Sequence, residues 1–297
     1  MEHRFVVSPA EAGERLDRCL ARRLGISRRQ AMQAIAMGGV RVNGRRAAKG
    51  HLLQEGEEVA ARVALDLRPV PEPRPLTIRY EDDALLVVDK PAGWPTHPLE
   101  AGETRTLANA VVAHVPACAE ASADPREGGA THRLDTETSG LVLFAKSRPV
   151  WEALRGQFTA RTVHKEYLAL ARGAVRAQEI RLPIARPVRG RARTARPGEE
   201  GREAHTRVEI VEEIRPPGQG VWTLVRCIIP TGVMHQIRVH LHAIGHPLAG
   251  DPLYGDARFE GLDRLFLHAS ALEFDHPVTG RRMRVASPLP DALAALA

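Results

Sequence analysis

Cysteine is scarce in this chain. Cys19, Cys118 and Cys227 are the only three in 297 residues, far apart and without a C-x-x-C pair. That excludes a disulfide framework and a zinc knuckle, and it fits a reducing cytoplasm. No run approaches the ~18 apolar residues of a membrane span. The opening Met1 to Pro9 holds no apolar stretch long enough for a signal peptide. A Walker A loop and a Rossmann glycine turn are both missing, so no nucleotide cofactor is implied. No G-x-S-x-G elbow occurs, which removes a serine-hydrolase reading of Ser139. Lysine is nearly absent too. It stands only at Lys49, Lys90, Lys146 and Lys165, so 38 of the 42 basic residues are arginine.

What is present is an ordinary folded composition, with 43% hydrophobic and 26% charged residues and a net charge of +6. The length suggests about two domains. The charge balance excludes an acidic, disordered chain and fits an anionic partner, although codon bias also yields arginine in excess of lysine.

The first segment reads as a small α+β unit, residues 1–65. Leu16, Cys19, Leu20 and Leu24 recur at helical spacing up to Gly25. Ser27 is a suitable N-cap for a second helix from Arg28 to about Met37, with Ala31, Ala34 and Ile35 inward. Val40 to Val42 alternates as a strand, Asn43-Gly44 is a two-residue turn signal, and Glu58 to Val63 reads as a further strand. Nine arginines fall between Arg15 and Arg46, a run that a solvated helix face also explains. Residues 66–75 hold four prolines and read as an extended linker. Residues 76–297 alternate apolar strands with few helices, which predicts a mostly antiparallel, mixed-sheet α+β domain. Strands are expected at 85–88, 141–145, 167–171 and 221–229. Helices are expected near 107–114, 151–159 and 234–244. The arginine-rich stretch 186–201 reads as a mobile basic loop that orders on a polyanion.

The informative stretch is Thr131-His132-Arg133-Leu134-Asp135-Thr136-Glu137-Thr138-Ser139-Gly140, followed by an apolar strand. An isolated aspartate there would read as a turn cap. H-R-L-D-x-x-T-S-G instead resembles the signature of pseudouridine synthases of the ribosomal large-subunit type. The resemblance continues in order through Leu76 to Pro98, K-x-Y-x-A at Lys165 to Ala169, and H-Q-I-R at His235 to Arg238. It then takes in Gly250-Asp251, Tyr254-Gly255, Leu267-His268-Ala269 and His276 to Gly280. The first segment resembles the S4 RNA-binding domain through R-L-D-x-x-L, S-R-R-Q-A and V-R-V-N-G-R.

The resemblance implies an RNA isomerase in which Asp135 acts on the ribose. C1′ becomes electron-poor as its bond to uracil N1 breaks, much as in glycoside cleavage, so a carboxylate there can add to it or first take a proton from the sugar. It further implies that Arg133 enters the space left by the flipped base and Tyr167 lies against the uracil. Spacing alone also accommodates Tyr167 as a core residue. Arg238 would pair with Asp135, and His132 and His235 would join the substrate site. Arg15, Arg28, Arg29, Arg41 and Arg45 become phosphate contacts, which give position rather than sequence choice. The S4 segment favours large-subunit ribosomal RNA over transfer RNA as partner. A monomer without cofactor is expected. No metal is expected either, because His235, His240, His242 and His246 lack the H-E-x-x-H spacing. An RNA-binding factor of the same fold without catalysis is the alternative. One departure stands out: Val233-Met234 follows Gly232 where the family usually has an arginine, which bears on substrate identity more than on catalysis.

Overall fold

The computed structural model describes residues 2–63, 66–188, 190–255 and 257–296, with the side chain of Arg29 also outside the described set. The expected boundary at Leu65 and one residue of the basic loop, Arg189, therefore lie outside it.

The N-terminal part contains β1 (Glu2–Val6), α1 (Leu16–Leu24), α2 (Arg28–Ala36), β2 (Val40–Val42), β3 (Arg45–Arg46) and β4 (Glu58–Arg62). The four strands form an antiparallel sheet in the order β1-β4-β2-β3. Helix α1 buries Leu16, Cys19 and Leu20 and ends at Gly25, whose left-handed φ of 63° suits a residue without a Cβ. Helix α2 opens with a capping box. Ser27 Oγ accepts from the Gln30 N–H at 3.2 Å, and Gln30 Oε1 accepts from the Ser27 N–H at 2.9 Å. Asn43 and Gly44 both take positive φ, 46° and 74°, as a tight hairpin turn requires. The expected elements are present, and β1 and β3 are strands beyond them.

Residues 66–75 carry no helix or strand, in keeping with their prolines. They are tied down rather than free. Asn109 Nδ2 donates to the Val70 carbonyl at 2.8 Å, and the Arg74 guanidinium lies 3.8 Å from the Trp94 ring centroid.

The remainder contains β5 (Thr77–Glu81), β6 (Leu85–Lys90), α3 (Leu107–His114), β7 (Ser139–Ala145), α4 (Arg148–Thr159), β8 (His164–Arg172) and β9 (Gln178–Ile180). These are followed by β10 (Thr206–Ile214), β11 (Trp222–Ile228), α5 (Gln236–Ala243), β12 (Leu267–Asp275), β13 (Arg282–Ala286) and α6 (Asp291–Ala294). Among the described residues one nine-stranded sheet runs β5-β6-β7-β12-β8-β11-β10-β9, with β13 on β12. Among the described strands only β7 and β12 pair in parallel. The continuous apolar runs of β6 and β7 follow from burial on both faces. Leu86, Val88, Val142 and Phe144 pack with α3 and α5, while Leu85, Val87, Leu141 and Leu143 pack with Trp151 and Leu154 of α4.

The stretch expected as a mobile loop folds back on the body. Ile184 bridges both Thr194 and Arg202, Ala192 is buried, and Arg191 donates to the Leu253 carbonyl at 2.5 Å. Its small and apolar members supply this packing, which a count of its arginines hides.

Candidate active site

Asp135 sits in the turn that enters β7, and three devices fix that turn. Thr131 donates through N–H and hydroxyl to the Leu143 carbonyl, both at 2.9 Å. Thr96 Oγ1 accepts from the Leu134 N–H at 3.1 Å and donates to the Leu134 carbonyl at 3.0 Å. The fully buried Lys90 gives its ammonium to the carbonyls of Pro91, Trp94 and Thr136 at 3.0, 2.7 and 2.9 Å. Burial pushes Lys90 down to about 7, against the pull of Asp135 and Glu137. The end of the turn depends on Gly140. It lies in β7 opposite Ala269 of β12 with φ 114°, and a Cβ there would stand 2.3 Å from the Ala269 carbonyl oxygen.

Asp135 faces a cleft of about 700 Å³ whose walls include Arg133, Tyr167, Thr231, His235 and Arg238. Its side chain is 25% exposed. Helix α5 and the residue that caps its start supply two partners. Arg238 is buried and sends Nε and Nη2 to Asp251 at 2.8 and 2.7 Å, leaving Nη1 at 3.4 Å from Asp135 Oδ2. His235 Nε2 lies 3.7 Å from the same oxygen. Gln236, between them, turns away and ties the helix start to β10 through the His205 carbonyl at 2.7 Å and Thr206 Oγ1 at 3.1 Å. His235 holds φ at 56°, a left-handed value that costs a non-glycine residue about 1–3 kcal/mol.

Tyr167 stands on β8 opposite Cys227 and Ala269, almost buried. Burial raises its phenol well above the ordinary value, and the charge of Asp135 adds to this. Arg133 is exposed and makes no hydrogen bond or ion pair with the described residues. His132 lines the cleft but already uses one nitrogen: Nε2 accepts from the Leu143 N–H at 3.1 Å, and desolvation pushes the ring down to about 3. Lys165 anchors the opposite wall through the Thr231 carbonyl at 2.9 Å, and burial pulls it down to about 8. The structure thus brings Arg133, Asp135, Tyr167, His132, His235 and Arg238 to one cleft. Lys90 and Asp251, which orient that group, do not stand out as site residues in the sequence. The signal for Lys90 is its rarity in an arginine-dominated chain.

The arginines of the N-terminal part lie elsewhere. Arg15 and Arg28 each give Nε to the buried Asp17, at 2.9 and 2.6 Å, and remain 38% and 48% exposed. Arg41 donates to the Gly44 carbonyl at 3.0 Å, and Arg45 is exposed without a partner among the described residues. Arg29 is in α2, its side chain outside the described set. His164, Glu166 and Glu273 offer ligand atoms within 4.8 Å of one another on the sheet. Arg284 contacts both glutamates there, so the cluster is already neutralised by arginine. No described helix is long and apolar enough to cross a membrane.

Residues 84–243 match the family model for RNA pseudouridylate synthase, and residues 14–59 match the S4 domain. A ribosomal large subunit pseudouridine synthase D from Xanthomonas campestris is 37% identical over 98% of this chain and 90% of its own. The Bacillus subtilis protein YlyB, named as an uncharacterized RNA pseudouridine synthase, is 36% identical over 98% of this chain and 96% of its own. Among solved structures, human RNA pseudouridylate synthase domain containing 1 superposes with a TM-score of 0.59 at 29% identity. That match covers 75% of this chain and 89% of the human one.

Proposed function

The chain belongs to the RNA pseudouridylate synthase family and is an RNA isomerase, and on that premise we propose that it converts uridines of large-subunit ribosomal RNA to pseudouridine with Asp135 as the acting carboxylate. The observation that carries the assignment is the position of Asp135. It is the carboxylate in the cleft that meets a buried arginine, at 3.4 Å, beside a near-buried tyrosine. Arg238 keeps Asp135 ionised and aimed. Uracil leaves C1′ with the bonding pair on N1, while Asp135 offers its oxygen to the electron-poor carbon. The base turns within the cleft and rejoins C1′ through C5. The proton lost from C5 balances the one gained at N1, so the isomerisation needs no outside reactant.

Arg133, exposed and without a hydrogen-bond or ion-pair partner among the described residues, fills the gap the flipped nucleotide leaves, and its planar guanidinium stacks and donates at once. Tyr167 provides the surface for the base, where stacking is worth about 1–3 kcal/mol. His132 and His235 border the same substrate. The N-terminal S4 domain, residues 1–65, grips phosphates through Arg15, Arg28, Arg29, Arg41 and Arg45; the extended stretch 66–75 joins it to the catalytic domain 76–297. Arg15 and Arg28 spend Nε on Asp17 and keep their other nitrogens for RNA. The protein works in the cytoplasm, where ribosomal RNA is made, and a single chain supplies every residue named.

The test is chemical mapping of pseudouridines in total RNA from cells with the gene, without it, and with Asp135→Asn. The expected result is one or more large-subunit positions lost in both altered strains. Loss confined to transfer RNA would overturn the substrate. Retained modification with Asp135→Asn would overturn the residue, and growth effects without any lost position would point to an RNA-binding factor.

A further inference from the structure

We propose that Tyr254 and His235 act as a positioning pair that fixes which oxygen of Asp135 is presented to the ribose; this rests on the reading of Asp135 as the acting carboxylate. Tyr254 is 3% exposed, and its hydroxyl oxygen has two hydrogen-bond neighbours among the described residues: the Ala192 N–H at 2.9 Å and His235 Nδ1 at 2.8 Å. A backbone N–H can only donate. The hydroxyl accepts there, and its own proton then has one buried partner to reach, His235 Nδ1. If Nδ1 carried the proton instead, the hydroxyl would accept twice and leave its own proton buried and unpaired.

His235 is therefore a neutral imidazole with its proton on Nε2, and Nε2 is the atom that faces Asp135 Oδ2, at 3.7 Å. Burial lowers the affinity of this ring for a second proton, against the opposing pull of Asp135. Arg238 Nη1 approaches the same Oδ2. Both donors converge on one carboxylate oxygen, while Oδ1 accepts no hydrogen bond from the described residues. Oδ1 is thus the oxygen left with its lone pairs free for C1′. The contacts of 3.4 and 3.7 Å are of the kind that tighten when substrate closes the site.

Tyr254 holds the second donor as well. The Arg238 guanidinium carbon lies 5.0 Å from the centroid of its ring, and the His235 ring meets it edge-on at 5.6 Å. Its backbone N–H and that of Leu253 bind Asp251 Oδ1, the anchor of Arg238. The strained backbone of His235 belongs to the same device, since the left-handed turn sets the imidazole between a phenol and a carboxylate. Ala192 lies in the folded-back stretch 184–202, so that segment supplies the N–H that decides where the Tyr254 proton goes.

The test uses the full-length protein labelled with ¹⁵N at histidine, with the His235 signals assigned by their loss in His235→Gln. Without RNA, His235 is expected as the Nε2–H tautomer, changing to a tautomer mixture in Tyr254→Phe. With ribosomal RNA from cells lacking the gene as probe, Tyr254→Phe should lower kcat about tenfold and leave KM unchanged, since the lost orientation is felt in the transition state rather than in substrate binding. His235→Gln places an amide N–H where Nε2–H stood and should keep most of the turnover. His235→Asn places its amide at the Nδ1 position and should lose it. An Nδ1–H tautomer in the unaltered protein, an unchanged tautomer and kcat in Tyr254→Phe, or equal losses in Gln and Asn would each overturn the proposal. The tautomer is read without turnover, so this result is distinct from failure of Asp135→Asn to stop catalysis.

Discussion

Arg238 and Asp251 form a buried two-point ion pair, at 2.8 and 2.7 Å, and that pair leaves one guanidinium nitrogen for Asp135. Asp251 is wholly buried and also accepts the N–H groups of Leu253 and Tyr254. Removing one partner of such a pair strands the other charge. Asp251→Ala should cost about 3–5 kcal/mol of stability, read by urea denaturation. Arg238→Lys keeps the charge but cannot make both bonds to Asp251 and reach Asp135. It should fold and lose most turnover.

Lys90 holds the Asp135 turn from below. Its ammonium serves three carbonyls, so Lys90→Met strands those of Pro91 and Trp94, whereas the Thr136 carbonyl keeps the Gly93 N–H. A cost of about 1–3 kcal/mol is expected for unsatisfied groups of this kind. Faster amide exchange at Gly93, whose N–H bonds the Thr136 carbonyl at 2.9 Å, should accompany a fall in turnover.

His132 gives the fold a pH dependence with a definite sign. Its folded value, about 3, lies below the ordinary histidine value of about 6.5. The neutral ring accepts the Leu143 N–H, and protonation removes that acceptor. Its stabilisation is therefore fully present above about pH 6.5 and is lost as pH falls toward 3. Stability measured by urea from about pH 7 to about pH 4 should fall less steeply in His132→Gln than in the unaltered protein.

The arginines of the β2–β3 hairpin are expected at phosphates. Replacing Arg41 and Arg45 together by alanine should weaken RNA binding. The slope of log affinity against log salt should drop by about 0.7–0.9 for each phosphate that is no longer neutralised. An unchanged slope would place these residues away from RNA.

The parts of the fold readable in advance are those where local chemistry and burial agree. Ser27 with Gln30 marks the start of α2, and Leu16, Cys19 and Leu20 mark the inner face of α1. Strand β1 is not readable, because Glu2 to Val6 pair through backbone with β4 while their side chains stay largely exposed. Strand β10 hides for a similar reason, since much of it is charged and exposed. In the cleft, the resemblance brings out the residues that would meet RNA. It is silent on the roles of Lys90 and Asp251, which touch other protein groups and depend on distant segments meeting in space. Gly140 belongs between the two: its motif is visible, but its reason is the Ala269 carbonyl of a strand more than a hundred residues away.

The scarcity of lysine has a practical side. Lys90 and Lys165 are buried, and Lys146 is 17% exposed and paired with Glu81 at 2.8 Å. Lys49 is the one exposed lysine among the four. An amine-reactive dye therefore attaches through side chains almost solely beside the β2–β3 hairpin. The unmodified protein thus carries a built-in attachment point for a fluorophore that reports on nucleic acid approaching from that side.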